Sequence, residues 1–525
     1  MPARAAIPLL IACARLAAAP SPERVAVLAN ADDPESLALA RHYLKSRAIP
    51  EKNLVALSLP KDEQISRDAY IGTLANPLLR ALVERGLLAG RELPGPDAEG
   101  RIRFEVTKNG VDFLVLCRGV PLKISNDPAR LAAREKHVAP APQFAVNHAS
   151  VDSELGVLPR ADAPLAGFLR SPWYNTPDSL PTLTRDSLRV ARLDGPTAGD
   201  ARRLVDNALK AEREGLLGRA YVDLGGGPTP KGDSRLSEAG RLCREAAFDT
   251  AVDTAPGLFA EGARFDAPAL YFGWYAPNIA GALAAPHFRF PPGAIALHIH
   301  SFSARTLRDP NAGWAGPLVA RGVTATFGNV EEPYLELTHN PALVMSGLLR
   351  GMSAGEAAAF AAPALSWQTV FIGDPLYRPF AHDVPAQLAD LGRRRDPELA
   401  YAVVRAARRL DGRNAKPQAD ELLSQAFSRL PVLALAREIL EREAGDGKPP
   451  TFRAAALAPV RENTGLVLET ARKLLGLGKT EEARALVEMQ VGLGMKLTAG
   501  DSGLAARIGR PDLAPKPTAP TEAAR

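Results

Sequence analysis

The sequence lacks the features that mark several large protein classes. No apolar run approaches the ~18–20 residues that a membrane-spanning helix needs, so we expect no transmembrane segment. The formal net charge is only +5 over 525 residues. Its lysines and arginines are scattered and do not alternate with aromatic residues, which argues against nucleic-acid binding. The three cysteines, Cys13, Cys117 and Cys243, have no zinc-finger or CxxC spacing. Cys117 and Cys243 lie in apolar segments and are expected to be buried thiols, with a disulfide between them as the less favoured alternative.

The first twenty residues resemble an export signal. Arg4 gives a basic start, and the apolar stretch "AAIPLLIACA" follows it. The tetrapeptide "LIAC" resembles a bacterial lipobox, which would place a diacylglyceryl anchor on Cys13. Cleavage near Ala17–Ala19 and an uncleaved N-terminal segment are the alternatives. We therefore expect residues 1–20 to export a protein that is periplasmic or anchored to the envelope as a lipoprotein.

The next part of the sequence alternates short apolar runs with helical patterns. "RVAVLAN" and "NLVALSLP" flank a segment in which Leu37, Ala40 and Leu44 have helical spacing. "VDFLVLCRGVPLKI" shows no polar alternation, which is typical of a strand covered on both faces of its sheet. Because strands and helices follow one another through short loops, residues 21–383 predict an α/β fold. We expect a mainly parallel sheet with helices on both faces and a long excursion at 125–188.

The composition changes near residue 385, after which strand-like runs disappear. Residues 384–508 contain successive amphipathic patterns separated by short turns. "ARKLLGLGKTEEARALVEM" resembles a tetratricopeptide-type hairpin, with small residues at the helix crossing and glycine at the turn. We expect an α-helical repeat-like domain that binds a protein partner. Residues 509–525 are rich in proline and alanine and are expected to be disordered.

The order of elements over residues 24–380 resembles the caspase/gingipain group of α/β folds. "LYFGWYA" resembles the strand that delivers the catalytic histidine in those proteases, and "AIALHIHSFSA" falls where the next strand would deliver the catalytic cysteine. "NADDPES", "CRGVPLKI", "SVDSEL" and "IGDPLYRPF" also resemble an uncharacterised bacterial family found in species that carry exosortase-type protein sorting. This second resemblance implies an envelope or export context.

Other residues occupy the two catalytic positions that the resemblance implies. Trp274 stands where the histidine belongs, and His300 or Ser301 stands where the cysteine belongs. A cysteine protease needs a thiolate activated by an imidazole. An indole cannot accept that proton, and the nearest preceding cysteine, Cys243, lies far back in the chain. The resemblance therefore implies a degenerate domain, and whether an enzymatic activity persists is left open.

Ligands gather beyond the carboxyl ends of the strands in an open α/β sheet. His300 and Ser301 should lie at this edge as candidate catalytic residues. The same edge should also collect the candidate binding residues Asn30, Asp33, Arg118, Trp274, Asn329 and Glu332, and two more, Asp152 and Glu154, lie on an excursion that starts from it.

The stretch "ALHIHSFSA" allows three interpretations. In a hydrolase, Ser301 or Ser303 would be the nucleophile and His300 or His298 the base. Neighbours on a strand point to opposite faces, however, and no Gly-x-Ser-x-Gly elbow is present. In a metal site, His298 and His300 would share one strand face and bind a divalent metal, completed by a carboxylate of "SVDSEL". In the third interpretation, His298 is a hydrogen-bonded core histidine, and His300 and Ser301 close the strand.

Asp152 and Glu154 lie two residues apart, so in an extended chain they would project together. Two like charges on one face suggest a cation, an arginine partner or a solvated loop. Arg118 or Arg192 would then be the partner in a structural ion-pair network.

Two further stretches predict local structure. The "GDP" at 373–375 is expected to make a turn in which Asp374 accepts backbone N–H bonds. "DLGGGPTPKGD" at 223–233 lacks the lysine and hydroxyl residue of a phosphate-binding loop. It predicts a flexible loop that would act as a lid.

Two functions are therefore expected. The first is an exported protein with a binding or scaffold role in the envelope, linked to protein sorting. The second is a hydrolase, with or without a divalent metal, built on His298, His300, Ser301, Asp152 and Glu154. No other cofactor is expected.

Overall fold

The computed structural model describes residues 20–132, 141–160, 163–176, 185–225, 227, 229–391, 393–394 and 396–515. Cys13 and the rest of the expected signal before residue 20 lie outside the described residues, as do residues 516–525 of the expected disordered tail. The chain divides into two compact units. The first is the chain up to Asp194 with Asn329–Ala381, and the second is Gly195–Gly328 with the chain from His382 onward.

Strands and helices are interspersed up to residue 373, and the elements described after that residue are helices. The strands are β1 (Val25–Asn30), β2 (Leu54–Leu57), β3 (Gln64–Ile65), β4 (Leu88–Glu92), β5 (Phe104–Asn109), β6 (Phe113–Cys117), β7 (Lys123–Ile124), β8 (Ala149–Ser150), β9 (Leu169–Arg170), β10 (Arg189–Leu193), β11 (Arg219–Asp223), β12 (Thr250–Asp253), β13 (Pro268–Gly273), β14 (Ile295–His298), β15 (Ala325–Asn329), β16 (Ala364–Leu365) and β17 (Thr369–Gly373). The helices are α1 (Pro34–Arg47), α2 (Arg67–Ala69), α3 (Asn76–Glu84), α4 (Pro128–Ala132), α5 (Val151–Leu155), α6 (Ala198–Glu214), α7 (Pro230–Glu245), α8 (Ala315–Ala320), α9 (Pro341–Leu349), α10 (Ala354–Ala361), α11 (Val384–Asp390), α12 (Leu399–Asp411), α13 (Lys416–Arg429), α14 (Leu433–Gly445), α15 (Thr464–Gly476), α16 (Thr480–Gly492) and α17 (Ser502–Arg507).

The first unit is built on five parallel strands in the order β17-β10-β6-β1-β2. β1 and β6 are buried along their whole length, which explains why their sequences are continuous apolar runs without alternation. Asp374 follows β17 and accepts hydrogen bonds from the Leu376 N–H at 2.9 Å and from the Tyr43 hydroxyl at 2.8 Å. This confirms the turn predicted at "GDP".

The second unit contains five more parallel strands, in the order β12-β11-β13-β14-β15. β11, β13 and β14 are fully buried. α7 packs against β11, β12 and β13. The carboxyl ends of β11, β13 and β14 therefore lie side by side at one edge of this sheet.

The C-terminal helices belong to the second unit. Leu399, Val403 and Ala407 form a buried stripe on α12 at helical spacing, and they join a core that also contains buried residues of α13 to α17. Between α15 and α16, Gly478 has φ +72°, a left-handed conformation that glycine adopts without steric cost. The predicted hairpin with glycine at its turn is thus present.

The structure confirms a mixed α/β fold with mainly parallel strands, followed by C-terminal helices. Within the described ranges, no helix is long and apolar enough to cross a membrane. The domain boundary at residue 383 stays a prediction, because the later helices share a compact unit with β11 to β15.

Two glycines of α15 give a test of how this helix is packed. A Cβ at Gly465 would lie 2.1 Å from the Ala263 carbonyl oxygen. This oxygen belongs to the backbone, which cannot move aside as easily as the end of a flexible side chain. We expect Gly465→Ala to lower the free energy of unfolding by about 1–3 kcal/mol through overpacking. Gly476, at the other end of α15, has open space around it, so Gly476→Ala should be neutral or stabilise by up to ~1 kcal/mol. Urea denaturation measures both, and equal effects would contradict this packing.

Candidate functional site

Neighbouring parallel strands place the candidate site of the second unit. β13 pairs with β14 in a register that sets Gly273 opposite His298, and the Ile299 N–H donates to the Gly273 carbonyl at 2.8 Å. Trp274 and His300 therefore follow adjacent strand ends at the same edge of the sheet. The sequence predicted this juxtaposition, and the structure confirms it.

Trp274 is buried and held by a specific partner. Its indole Nε1 donates to the Asp233 carboxylate at 2.7 Å. A Cβ at Gly227 or Gly232 would lie 2.0 or 1.7 Å from the indole ring, so only glycine allows the backbone to approach this closely. The prediction of a flexible lid at 223–233 is therefore wrong for the described residues. α7 begins at Pro230 within that stretch, and its first turn packs on Trp274.

His298 is enclosed between aromatic rings with both ring nitrogens engaged. The Ala276 N–H donates to Nε2 at 3.1 Å, and Nδ1 lies 3.0 Å from the Tyr271 hydroxyl. The Trp314 ring stacks on the imidazole at 3.5 Å between centroids. Burial, with a smaller effect of His300, holds the pKa of His298 well below its usual value, so the ring is neutral. Since Nε2 accepts a hydrogen bond, the proton is on Nδ1 and is donated to Tyr271.

Asp223 is the last residue of β11 and lies near Tyr271, the hydroxyl partner of His298. Its carboxylate accepts the Phe259 N–H at 3.1 Å. Burial raises the pKa of Asp223 to about 7, an effect that the Asp253 charge reinforces and that hydrogen bonds from the Phe259 N–H and the Tyr271 hydroxyl partly offset. A Cβ on Gly273 would lie 2.4 Å from the Tyr271 hydroxyl oxygen, so glycine leaves room for this hydroxyl.

The exposed part of the edge is formed by Tyr275, His300 and Phe302, which we call the aromatic tip. The ring centroids of Tyr275 and His300 lie 4.6 Å apart, and Tyr275 and Phe302 are 39% and 40% exposed. Phe302 has φ +60°, a left-handed conformation that a phenylalanine rarely adopts. Phe302 was not among the residues predicted for the site, because no glycine, asparagine or aspartate marks a left-handed position there.

The serines after β14 lie in a turn, because the strand ends at His298. The argument that His300 and Ser301 must point to opposite faces therefore does not apply. His300 Nδ1 donates to the Ser301 carbonyl oxygen, which leaves Nε2 as its only ring nitrogen able to accept a proton. Ser303 is fully buried, and its carbonyl accepts the Trp314 and Ala315 N–H groups at 2.9 Å. A hydrolase built on Ser301 stays a prediction.

The two described cysteines are free, fully buried thiols, as the sequence predicted. Burial raises the pKa of both, that of Cys243 to about 12. Neither thiol is therefore ionised near neutral pH or accessible to a substrate.

In the first unit, three candidate binding residues connect loops and a helix end. The Asn30 side-chain N–H₂ donates to the Leu59 carbonyl at 3.0 Å and to the Gly119 carbonyl at 2.9 Å. Asp33 is the N-cap of α1 and accepts the Glu35 N–H at 3.0 Å. Arg118 forms an ion pair with Glu35 at 3.1 Å. Each of these contacts has a structural role.

Asp152 and Glu154 do not project together, because "SVDSEL" forms the short buried helix α5 and not an extended chain. Ser150 caps this helix by accepting the Ser153 N–H at 2.9 Å. Arg192 pairs with Asp152 at 2.5 Å, as one sequence alternative predicted, whereas Glu154 pairs with Arg67 at 2.6 Å. The expected shared face was wrong, and the expected ion-pair network is present.

Arg192 uses all of its donors inside the first unit. Nε and Nη2 donate to Asp152, Nη1 donates to Asp194 at 3.1 Å and to the Val120 carbonyl, and Nη2 also donates to the Pro121 carbonyl. Burial would lower the pKa of Arg192, but the two carboxylates raise it, so the guanidinium stays charged.

The last two candidate binding residues are Asn329, which ends β15, and Glu332, which follows it. Asn329 accepts a hydrogen bond from the Thr338 hydroxyl at 3.1 Å. Glu332 accepts the Tyr334 N–H at 2.8 Å. Both contacts order the turn that leads to Tyr334, whose φ is +60°.

The described ranges contain no group of three or more His, Cys, Asp or Glu side chains arranged to hold a metal ion. At the predicted site, a metal on His298 would have to displace the Ala276 N–H or the Tyr271 hydroxyl. The divalent metal stays a prediction.

Removal of Arg192 tests the buried ion pairs. In Arg192→Leu, Asp152 and Asp194 stay buried without their cation, so we expect a loss of about 3–5 kcal/mol in the free energy of unfolding. Arg202→Leu is the matched control, because Arg202 is 59% exposed and pairs with Asp206 along one helix; its effect should lie within about 0.5 kcal/mol. Urea denaturation compares the two, and similar losses would refute a dominant role for Arg192.

Asp223 predicts a specific pH dependence of stability. The folded protein keeps the Asp223 proton up to about pH 7, whereas a carboxyl of ordinary pKa, 3.8, loses it earlier in the unfolded chain. Stability from this group is therefore present at acidic pH and is lost as the pH rises from about 4 to 7. Relative to Asp223→Asn, the wild type should lose about 1–2 kcal/mol between pH 5 and pH 7. Urea denaturation at each pH measures the free energy of unfolding of both proteins. An equal change in the two between pH 5 and pH 7 would contradict the assignment.

Comparison with known proteins adds little to this geometry. No protein-family model matches the sequence, and no curated protein matches it. A solved structure titled "Structure of Protease" is similar with a TM-score of 0.35 and 12% sequence identity, covering 69% of this chain and 79% of that chain. A likeness of this size assigns neither a fold family nor an activity.

Proposed function

We propose that this chain is an exported, envelope-associated binding protein. Its α/β region is a caspase/gingipain-like domain without cysteine-peptidase chemistry, and it binds a polypeptide segment at the aromatic tip. Its C-terminal helices hold a protein partner. The envelope location, the lipid anchor and the link to protein sorting rest on the N-terminal sequence and on family resemblance.

The loss of peptidase chemistry is supported at both catalytic positions. Trp274 is locked against Gly227, Gly232 and Asp233, and it has no basic nitrogen. The described thiols are buried with raised pKa values, so neither Cys117 nor Cys243 replaces the missing nucleophile.

One observation carries the binding role: the exposed Tyr275 ring packs on the His300 ring at the carboxyl edge of a buried parallel sheet, and the exposed Phe302 follows His300 by two residues. Tyr275 and Phe302 are large aromatic side chains with 39% and 40% of their surface exposed, and they follow the neighbouring strands β13 and β14. Phe302 is held at φ +60° by a turn in which its carbonyl accepts the Arg305 N–H at 3.0 Å. Strained residues persist where the surroundings fix them, and they cluster at binding sites.

The chemistry of the aromatic tip favours a polypeptide with an apolar or aromatic side chain. Tyrosine and phenylalanine bury large surfaces at low entropic cost and are frequent anchors of protein interfaces. His300 adds a half-buried aromatic ring that packs on Tyr275 at the same place.

The C-terminal helices offer a second surface. A groove of about 440 Å³ lies between α13 and α14 and the segment after α14, and its apolar lining includes Leu423, Phe427, Ile439 and Phe452. Grooves of this kind in helical arrays receive side chains of a bound segment. This supports a partner-binding role for the helices.

Selection from a random 12-residue peptide phage library tests the binding role. The wild type is expected to enrich peptides that no longer bind Tyr275→Ser/Phe302→Ser, with at least a tenfold loss of affinity. Val252→Ser is the matched control, because Val252 is 38% exposed on β12 and should leave binding unchanged.

A fluorophosphonate probe tests the hydrolase alternative on the same protein. We expect no labelling of Ser301 or Ser303. Labelling of Ser301 that disappears in His300→Ala would contradict the proposed function, as would a selection in which no peptide distinguishes the double variant from the wild type.

A further inference from the structure

A chain of hydrogen-bonding groups runs from the buried carboxyl of Asp223 to the backbone beside the aromatic tip. We propose that this chain couples the protonation of Asp223 to the position of Tyr275 and so makes peptide binding pH-dependent. The inference rests on the proposed function, since it describes the regulation of the same site.

The proton positions follow from one fixed donor. The Ala276 amide can only donate, so His298 Nε2 is unprotonated and Nδ1 carries the proton. Nδ1–H donates to the Tyr271 oxygen across 3.0 Å. The tyrosine hydroxyl hydrogen is then available for Asp223, because the two side chains meet at Gly273: a Cβ there would lie 2.4 Å from the Tyr271 hydroxyl oxygen and 3.0 Å from the Asp223 Cβ. The order of donors is therefore Ala276 to His298, and His298 to Tyr271 to Asp223.

Tyr275 lies between two anchored backbone positions. On one side, the Gly273 carbonyl accepts the Ile299 N–H at 2.8 Å. On the other, the Ala276 N–H binds His298, and the Ala276 carbonyl accepts the Trp314 Nε1–H at 2.7 Å. A shift of the His298 ring is therefore transmitted to the Trp274–Tyr275 segment.

Ionisation changes the strength of this chain. A hydroxyl donates to a carboxylate about twice as strongly as to a neutral carboxyl group. Ionised Asp223 therefore holds Tyr271 and His298 more firmly, and the aromatic tip is better ordered for binding. Protonated Asp223 loosens the same contacts, so affinity should fall as the pH falls.

Other charged groups lie near this chain of hydrogen-bonding groups. Asp253 at the end of β12 raises the pKa of Asp223 further. Asp233 on α7 accepts the Gly225 N–H at 3.2 Å, two residues after Asp223. His300 lies close enough to His298 to lower its pKa. Because His300 itself belongs to the aromatic tip, its contribution has to be separated from that of Asp223.

The Ala276 amide resonance and the peptide affinity provide two readouts. In ¹⁵N-labelled protein we expect the Ala276 amide to shift with a midpoint near pH 7, and to stay flat in Asp223→Asn and in Tyr271→Phe. Tyr271→Phe retains His300, so its flat response excludes His300 as the source. A phage-selected peptide should bind the wild type about fivefold more tightly at pH 8 than at pH 6, and bind Asp223→Asn equally at both.

The outcomes are distinguishable. An Ala276 amide shift that still titrates in Asp223→Asn overturns the inference. The inference is also overturned if Asp223→Asn loses this titration but keeps the pH dependence of peptide affinity seen in the wild type. If no peptide is selected, the proposed function fails, while the amide titration alone still decides whether Asp223 controls this segment. Should Asp223→Asn not fold, Asp253→Asn replaces it: removal of this charge should move the midpoint to lower pH, and an unmoved midpoint overturns the inference.

Discussion

The parallel pairing of β13 with β14 is the constraint on which the candidate site depends. Its register sets Gly273 opposite His298, so the residues that follow each strand meet at one edge. Burial then decides their chemistry. Trp274 and His298 face inward and are held by hydrogen bonds and stacking, whereas Tyr275 and Phe302 remain exposed. A site whose polar groups are buried and hydrogen-bonded, and whose aromatic rings are exposed, is suited to binding a ligand.

Buried charges fix the first unit in a similar way. Arg192 and Arg67 each pair with a carboxylate of α5, so a helix of five residues is tied to neighbouring segments. The net stability from such pairs is small, because removing the ions from water costs nearly as much as their attraction returns, but the loss of one partner leaves a buried charge unpaired. The acidic residues of "SVDSEL" therefore serve the architecture.

The sequence predicted those features that depend on local pattern. Continuous apolar runs indicated buried parallel strands, and the "GDP" turn and the glycine of the α15–α16 hairpin were found where expected. Features that depend on distant contacts were missed. The stretch at 223–233 looks flexible in isolation, and only its packing against Trp274 shows why glycine is required there. The alternation of "SVDSEL" favours an extended chain, whereas the segment is the helix α5, and Ser150, a preferred N-cap residue, is the one local signal for it. Nothing local in the sequence could pair His298 with the Ala276 amide.

The protonation state of His298 is the most direct test of this account, because an imidazole whose two ring nitrogens are both held in hydrogen bonds has none left to act as a catalytic base. Two-dimensional ¹⁵N NMR of the imidazole reports tautomer and charge between pH 5 and pH 8. The account predicts a neutral ring with its proton on Nδ1 throughout this range. A ring that gains a second proton near its ordinary pKa of 6.5, or that carries its proton on Nε2, would contradict it.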